Sequence, residues 1–191
     1  VDTTGKPLRA HAARNRDSLI TAARDAFEAG ELDIRIEEIA RRAKVGVGTL
    51  YRHFATREAL IEAVYRQRVE DLCGTAPRLL AELTPYDALS AFLRQLIAHS
   101  AASQGMAVAL EAVMNTGSPV FTQTRAEMID AIATIMTAAA TAGEIRTDVT
   151  PETVFQAMGG ICTGHDRPGW EDGAQSVARL LLDGLREPTP R

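Results

Sequence analysis

Apolar side chains recur every three or four residues along most of this 191-residue chain, and no segment alternates as a half-buried strand would. The pattern predicts an all-α protein of about nine helices. The first covers residues 14–29, with Leu19, Ile20, Ala23, Ala26 and Phe27 on one face and Gly30 as its stop. Residues 36–43 follow, with Ile36, Ile39, Ala40 and Ala43 inward, then 47–54, with Leu50 and Phe54 inward. Thr56 reads as the N-cap of a fourth helix running through Leu60, Ile61, Val64, Val69 and Leu72. It reaches Gly74, where Gly-Thr-Ala-Pro77 predicts a kink or break. Further helices are predicted over 85–103 (Thr84 as cap, Pro85 in the first turn), 105–115 and 119–142, the last ended by Gly143. Thr150-Pro151 starts another to about Cys162, residues 163–169 read as a loop, and the last helix covers 170–186. Residues 1–12 contain Gly5 and Pro7 without periodicity and read as a mobile basic arm.

Composition supports this picture and adds a polarity to it. Aromatic residues make up only 5% and the net charge is −4, which taken alone argues against a nucleic-acid partner. The distribution argues the reverse. Residues 1–58 carry 11 Lys/Arg against 9 Asp/Glu, and the remaining 133 carry 10 against 16. A basic leading end on an acidic body suits a protein that touches phosphate with one end. Cys73 and Cys162 have no metal or disulfide spacing and read as buried thiols in a reducing compartment. No apolar run approaches a membrane span, and the polar N-terminal stretch lacks a signal core, so a cytoplasmic protein is expected.

The residues from Ile36 to Phe54 carry the chemistry. A short bracing helix, the tight turn Ala43-Lys44-Val45-Gly46 and a second short helix make a helix-turn-helix. Val45 pins the turn to the core. Gly46 and Gly48 permit close backbone approach at a cost in helix propensity. Thr49 offers a hydroxyl to phosphate or a methyl to thymine, and Tyr51 and His53 offer polar tips at phosphate distance. Arg52 is best placed to fork onto guanine. Arg14, Arg16, Arg41 and Arg42 are open between phosphate contact and a solvated face.

The strings Ile36-Glu-Glu-Ile-Ala-Arg-Arg-Ala43, Val45-Gly-Val-Gly-Thr-Leu-Tyr-Arg-His-Phe54 and Thr56-Arg-Glu-Ala-Leu60 resemble the N-terminal domain of the tetracycline-repressor (TetR) family. The resemblance covers about the first third of the chain. It implies a DNA-binding domain over 13–58 and a helical ligand-binding and dimerisation domain over 59–191. It further implies a homodimeric, ligand-responsive repressor of a palindromic operator in double-stranded DNA. The family's DNA contacts fall here on Gly46, Val47, Gly48, Thr49, Tyr51, Arg52, His53 and, for phosphate, Arg57. Two positions depart from the pattern. Arg35 stands where the family has a capping Thr or Ser; it still reaches phosphate, and Asp33 is the alternative cap. Lys44 stands where a left-handed glycine is usual, which implies about 1 kcal/mol of strain.

The C-terminal two-thirds offers His99, Met106, Leu110, Glu111, Met114, Phe121, Met128, Phe155, Cys162 and Trp170 as candidate contacts of an unknown small apolar or amphipathic ligand. Ordinary core packing is the competing reading, and Glu111 faces either a ligand or solvent. Val154, Ala157 and Ile161, with Gly159-Gly160 beside them, and Val177, Ala178, Leu181, Leu182 and Leu185 form two apolar faces expected to build a four-helix dimer interface. No paired-carboxylate, triad, phosphate-loop or metal spacing is present, so neither an enzyme nor a cofactor is expected; His165-Asp166 has no further ligand nearby. The alternative function is a DNA-binding regulator that acts without a ligand or through a protein partner.

Overall fold

The computed structural model describes residues 5–31, 33–102, 106–114, 116–162 and 169–186. Ten helices lie among them: α1 (Gly5–Glu28), α2 (Ile36–Arg42), α3 (Val47–His53), α4 (Arg57–Cys73), α5 (Thr75–Glu82), α6 (Pro85–Ala102), α7 (Ala107–Met114), α8 (Val120–Thr141), α9 (Pro151–Cys162) and α10 (Trp170–Leu185). The one more than expected is α5, which begins directly after the break at Gly74. A single isolated bridge joins Ile145 and Arg186. No described helix is long and apolar enough to cross a membrane.

The chain divides into two compact units, Val1–Gln67 with Gly105–Ser118, and Arg68–Gln104 with Pro119–Arg191. The division falls inside α4, between Gln67 and Arg68, rather than at the foot of that helix.

In the first unit α1 packs on α2 and α3, and α2 packs on α3. Leu19, Ile20, Ala23, Ala26, Phe27, Ile39, Ala40, Leu50, Phe54, Leu60, Ile61 and Val64 are all buried, as the periodicity predicts. The arm is a correction: α1 extends N-terminally to Gly5, so residues 5–12 are helical and residues 1–4 lie outside the description. Pro7 falls in the first turn, where a missing N–H leaves no helix bond unmade, and the Ala/Arg-rich run after it favours helix. Helix α1 closes with Gly30 at φ 79, its N–H bonded to the Phe27 carbonyl and the Glu31 N–H to that of Ala26. This pair of bonds is a Schellman stop. Within the same unit Ser118 donates to Glu62 of α4 at 2.9 Å.

In the second unit α6 is the hub, in contact with α5, α8, α9 and α10. Its apolar face is correspondingly broad: Ala88, Leu89, Ala91, Phe92, Leu93, Leu96 and Ile97 are buried. Thr84 caps its start, accepting from the Asp87 N–H at 3.2 Å, and Glu144 accepts from the Tyr86 N–H at 2.6 Å. The end of α10 is tied back by the Arg146 N–H to the Leu185 carbonyl at 2.9 Å, and the Arg186 guanidinium lies 4.2 Å from the centre of the Tyr86 ring.

Candidate nucleic-acid interface

The turn between α2 and α3 is built by Lys44. It is the one non-glycine residue at positive φ (56°) among the described residues. Its N–H bonds to the Arg41 carbonyl at 3.1 Å, and that of Val45 reaches the Ala40 carbonyl at 2.9 Å, repeating the Schellman geometry that ends α1. Gly46, extended at φ −63 and ψ 141, then opens α3, and its carbonyl accepts from Thr49 and Leu50. The strained position read from the sequence is thus the C′ residue of a helix stop.

Helix α3 buries Leu50 and turns Val47, Gly48, Tyr51 and Arg52 outward. These four sit at i, i+1, i+4 and i+5, one face of a helix. Val47 is 40% and Tyr51 45% exposed, large values for apolar and aromatic side chains. Thr49 and His53 are half-buried on the flanks, so the structure divides the candidate contacts into a centre and two edges. Arg52 and Lys44 are exposed, and neither side chain makes a hydrogen bond or ion pair among the described residues. A Cβ at Gly48 would meet nothing within 4 Å, and one at Gly46 would touch only the Thr49 hydroxyl at 4.0 Å. Neither glycine has positive φ, so nothing within the chain requires glycine at either place.

The remaining polar candidates are engaged inside the unit. The Tyr51 hydroxyl donates to Glu37 Oε1 of α2 at 2.9 Å. The residue's own backbone N–H, and after it this bond, pull the Glu37 carboxyl below its ordinary range, and the bond pushes the Tyr51 phenol up. Arg41 forks onto Glu38 at 2.7 and 2.6 Å, and Arg42 onto Glu31 at 2.9 and 2.7 Å with a further contact to Glu38. Hydrogen bonding to Arg41 leads the causes that hold the Glu38 carboxyl at about 2. Both arginines of the bracing helix are therefore neutralised locally. Arg57 is half-buried, donates to the Ile34 carbonyl and lies 5.8 Å from the centre of the Phe27 ring. Arg16 stacks on Phe54 at 5.6 Å, while Arg14 is exposed and unpaired among the described residues. No side chain caps α2 at Arg35, neither Arg35 itself nor Asp33; Glu37 and Glu38 in the first turn supply the favourable charge instead.

The C-terminal candidates are divided between the two units. Met106, Leu110, Glu111 and Met114 belong to the segment that clusters with the first unit. Met106 is buried and Leu110 half-buried, whereas Glu111 is exposed and Met114 is 56% exposed. In the second unit Met128 is buried, and Phe121, Phe155, His99, Cys162 and Trp170 are half-buried. Arg125 lies over the Phe155 ring at 4.8 Å, Trp170 Nε1 donates to the Ile161 carbonyl at 2.8 Å, and burial pushes the Cys162 thiol up. Burial beside the buried Arg68 holds the His99 imidazole down at about 4. His165 and Asp166 lie outside the described residues.

Four residues of the expected dimer face are corrected. Val154, Ala178, Leu182 and Leu185 are buried within the chain itself and have no surface to give a partner. The outward side of α10 instead carries Val177, Leu181 and, unforeseen, Leu180 at 71% exposure; on α9 Ala157 and Ile161 remain half-exposed.

Two family models match this chain. Residues 19–64 match the description "Bacterial regulatory proteins, tetR family", and residues 84–187 match "Transcriptional regulator SbtR-like, C-terminal domain". The TetR transcriptional regulator SCO0520 of Streptomyces coelicolor is 45% identical, with 91% of this chain and 99% of that one covered and a TM-score of 0.76. A TetR regulator of Mycobacterium vanbaalenii is 34% identical over 95% of this chain and 100% of that one, with a TM-score of 0.73. The transcriptional repressor KstR2 of Rhodococcus jostii is 25% identical over 98% of this chain and 96% of its own length. The regulator SAR0097 of Staphylococcus aureus is 36% identical over 81 residues, 42% of its length. A helix-turn-helix with an open outward face, joined to a helical C-terminal unit of this kind, makes the chain a member of the TetR family of bacterial transcriptional regulators.

Proposed function

We propose that the chain represses transcription as a homodimer on a palindromic operator, each subunit laying α3 in the major groove of one half-site. The observation that carries this reading is the outward face of α3. Gly48 is a glycine without an internal reason, next to an unpaired Arg52 and an exposed Val47 methyl pair. Those groups suit close approach, a guanine fork and a thymine methyl. Two half-sites about 34–36 Å apart would match the dimer's symmetry. A small apolar or amphipathic ligand in the C-terminal unit would shift the dimer between states of different DNA affinity. The half-buried polar tips of His99, Ser100, Cys162 and Trp170 within an apolar helical unit support that role.

The test is fluorescence anisotropy on promoter fragments next to its own gene, as a function of salt and of added ligands. Salt-sensitive binding to a palindrome is expected. Arg52→Ala is expected to lose about 1–3 kcal/mol at one base position while leaving the salt slope near that of the parent. Absence of binding to any palindrome there refutes the reading. Glu111 and Met114 are exposed, which favours a solvent-facing role over ligand contact at those two positions. Repression unaffected by any ligand would therefore support a ligand-independent regulator.

A further inference from the structure

We infer that the Glu37–Tyr51 pair reads base chemistry: Tyr51 faces DNA as a hydrogen-bond acceptor only, and so selects amino-bearing bases (adenine or cytosine) on one strand. The inference rests on α3 entering the major groove, as proposed above. It begins with a count of protons. A phenol hydroxyl has one proton to donate and lone pairs to accept with. Here that proton is given to Glu37 Oε1 at 2.9 Å, across the crossing of α2 and α3. Tyr51 is nonetheless 45% exposed, between Val47, Gly48 and Arg52 on the outward face.

In water the hydroxyl exchanges partners easily, because both side chains are exposed. Docking on DNA changes the balance. Water is excluded and Glu37 is brought toward phosphates, so a carboxylate that loses its donor is left charged, desolvated and among like charges. Tyr51 therefore keeps its proton on Glu37. Arg35, the charged neighbour of Glu37 in sequence and in field, stabilises the same ionised form.

A hydroxyl held this way cannot donate to a phosphate oxygen, to guanine O6 or N7, or to thymine O4. It can accept from adenine N6–H or cytosine N4–H. Each base pair presents one such amine in the major groove, on the adenine or cytosine strand. An acceptor at a fixed place consequently distinguishes A or C from G or T on the facing strand, without telling A from C. This differs from the phosphate contact expected of Tyr51 from sequence. Glu37 then acts as a positioning residue, setting which way the phenol proton points without touching the base.

The test is selection of bound sites from a randomised double-stranded pool, with the parent, Tyr51→Phe and Glu37→Leu, alongside phosphate-ethylation interference. One column per half-site is expected to show A/C over G/T in the parent. Tyr51→Phe is expected to flatten that column, with a loss of roughly three- to tenfold in discrimination for a single hydrogen bond. Its phosphate footprint should stay unchanged. Glu37→Leu removes the acceptor and frees the hydroxyl proton, so the same column should flatten while the hydroxyl remains present. Loss of a phosphate contact in Tyr51→Phe, or a column unchanged by both variants, overturns the inference while leaving DNA reading intact. A parent that selects no sequence overturns both.

Discussion

Gly48 shows how a residue can be explained by what its neighbours do not need. A glycine inside a helix costs roughly 0.5–1 kcal/mol relative to alanine. Chains accept that cost where φ is positive or where a Cβ would collide, and Gly48 meets neither condition. Gly48→Ala is therefore expected to stabilise the protein by about 0.5–1 kcal/mol, read as a raised midpoint in urea. The same variant is expected to weaken operator binding at least tenfold, about 1.4 kcal/mol or more, because a methyl group stands where the groove must approach. A stabilised variant that binds DNA as tightly as the parent would show that no partner approaches this position. Lys44 is the opposite case: its φ of 56° is strained, but the two Schellman bonds it closes hold the angle between the helices.

At the scale of elements, polar side chains near the recognition helix are partly structural. Arg57 ties the segment before α2 to α4 through the Ile34 carbonyl and the Phe27 ring. Its removal deletes a charge-assisted hydrogen bond and a ring contact, so Arg57→Ala is expected to cost about 1–3 kcal/mol of unfolding free energy, whatever it costs on DNA. A stability equal to the parent's, with DNA affinity lost evenly across sequences, would make Arg57 a phosphate contact alone. In the second unit His99 is held neutral, at about 4 against an ordinary 6.5, first by burial and then by Arg68, with Asp71 opposing. The unfolded chain binds the proton more readily, so this contribution is complete above pH 6.5 and is lost as pH falls toward 4. His99→Gln should abolish that part of the pH dependence in urea titrations between pH 4 and 7. An identical slope in the variant would assign it to other groups. How much of this was legible follows from range. Helices, stops and caps depend on residues one to five apart, and Gly30, Gly143, Thr56 and Thr84 all act where the pattern places them. The Tyr51–Glu37 bond joins residues 14 apart and exists only once α2 crosses α3, so no spacing announces it. The start of α1 was masked by Gly5 and Pro7, which signal a break in a chain's interior but are harmless in a first turn.

For the whole molecule, the homodimer proposed above turns on which apolar surface α10 leaves uncovered. This helix has two apolar stripes. Ala174, Ala178, Leu182 and Leu185 are buried in the chain, while Val177, Leu180 and Leu181 face partly or fully outward. Periodicity reads Val177, Ala178, Leu181, Leu182 and Leu185 as one face and cannot say which of them the chain's own core claims, so Ala178, Leu182 and Leu185 read as interface from sequence although they are core. Leu180 at 71% and Val177 at 47% exposure are expensive to leave in water, and a second copy would cover them. Leu180→Glu places like charges opposite each other in such an interface and leaves the interior untouched. It is expected to yield a folded monomer by light scattering, with a thermal midpoint measured at low concentration close to the parent's. Operator affinity should then fall by a hundredfold or more, because each half-site must be bound without the effective concentration a linked partner supplies. Leu185→Glu is the control that separates the two stripes: it buries a charge in the core and should unfold the chain rather than merely dissociate it. If Leu180→Glu remains a dimer with full operator affinity, the outward stripe of α10 is not the dimer face, and the copies meet elsewhere.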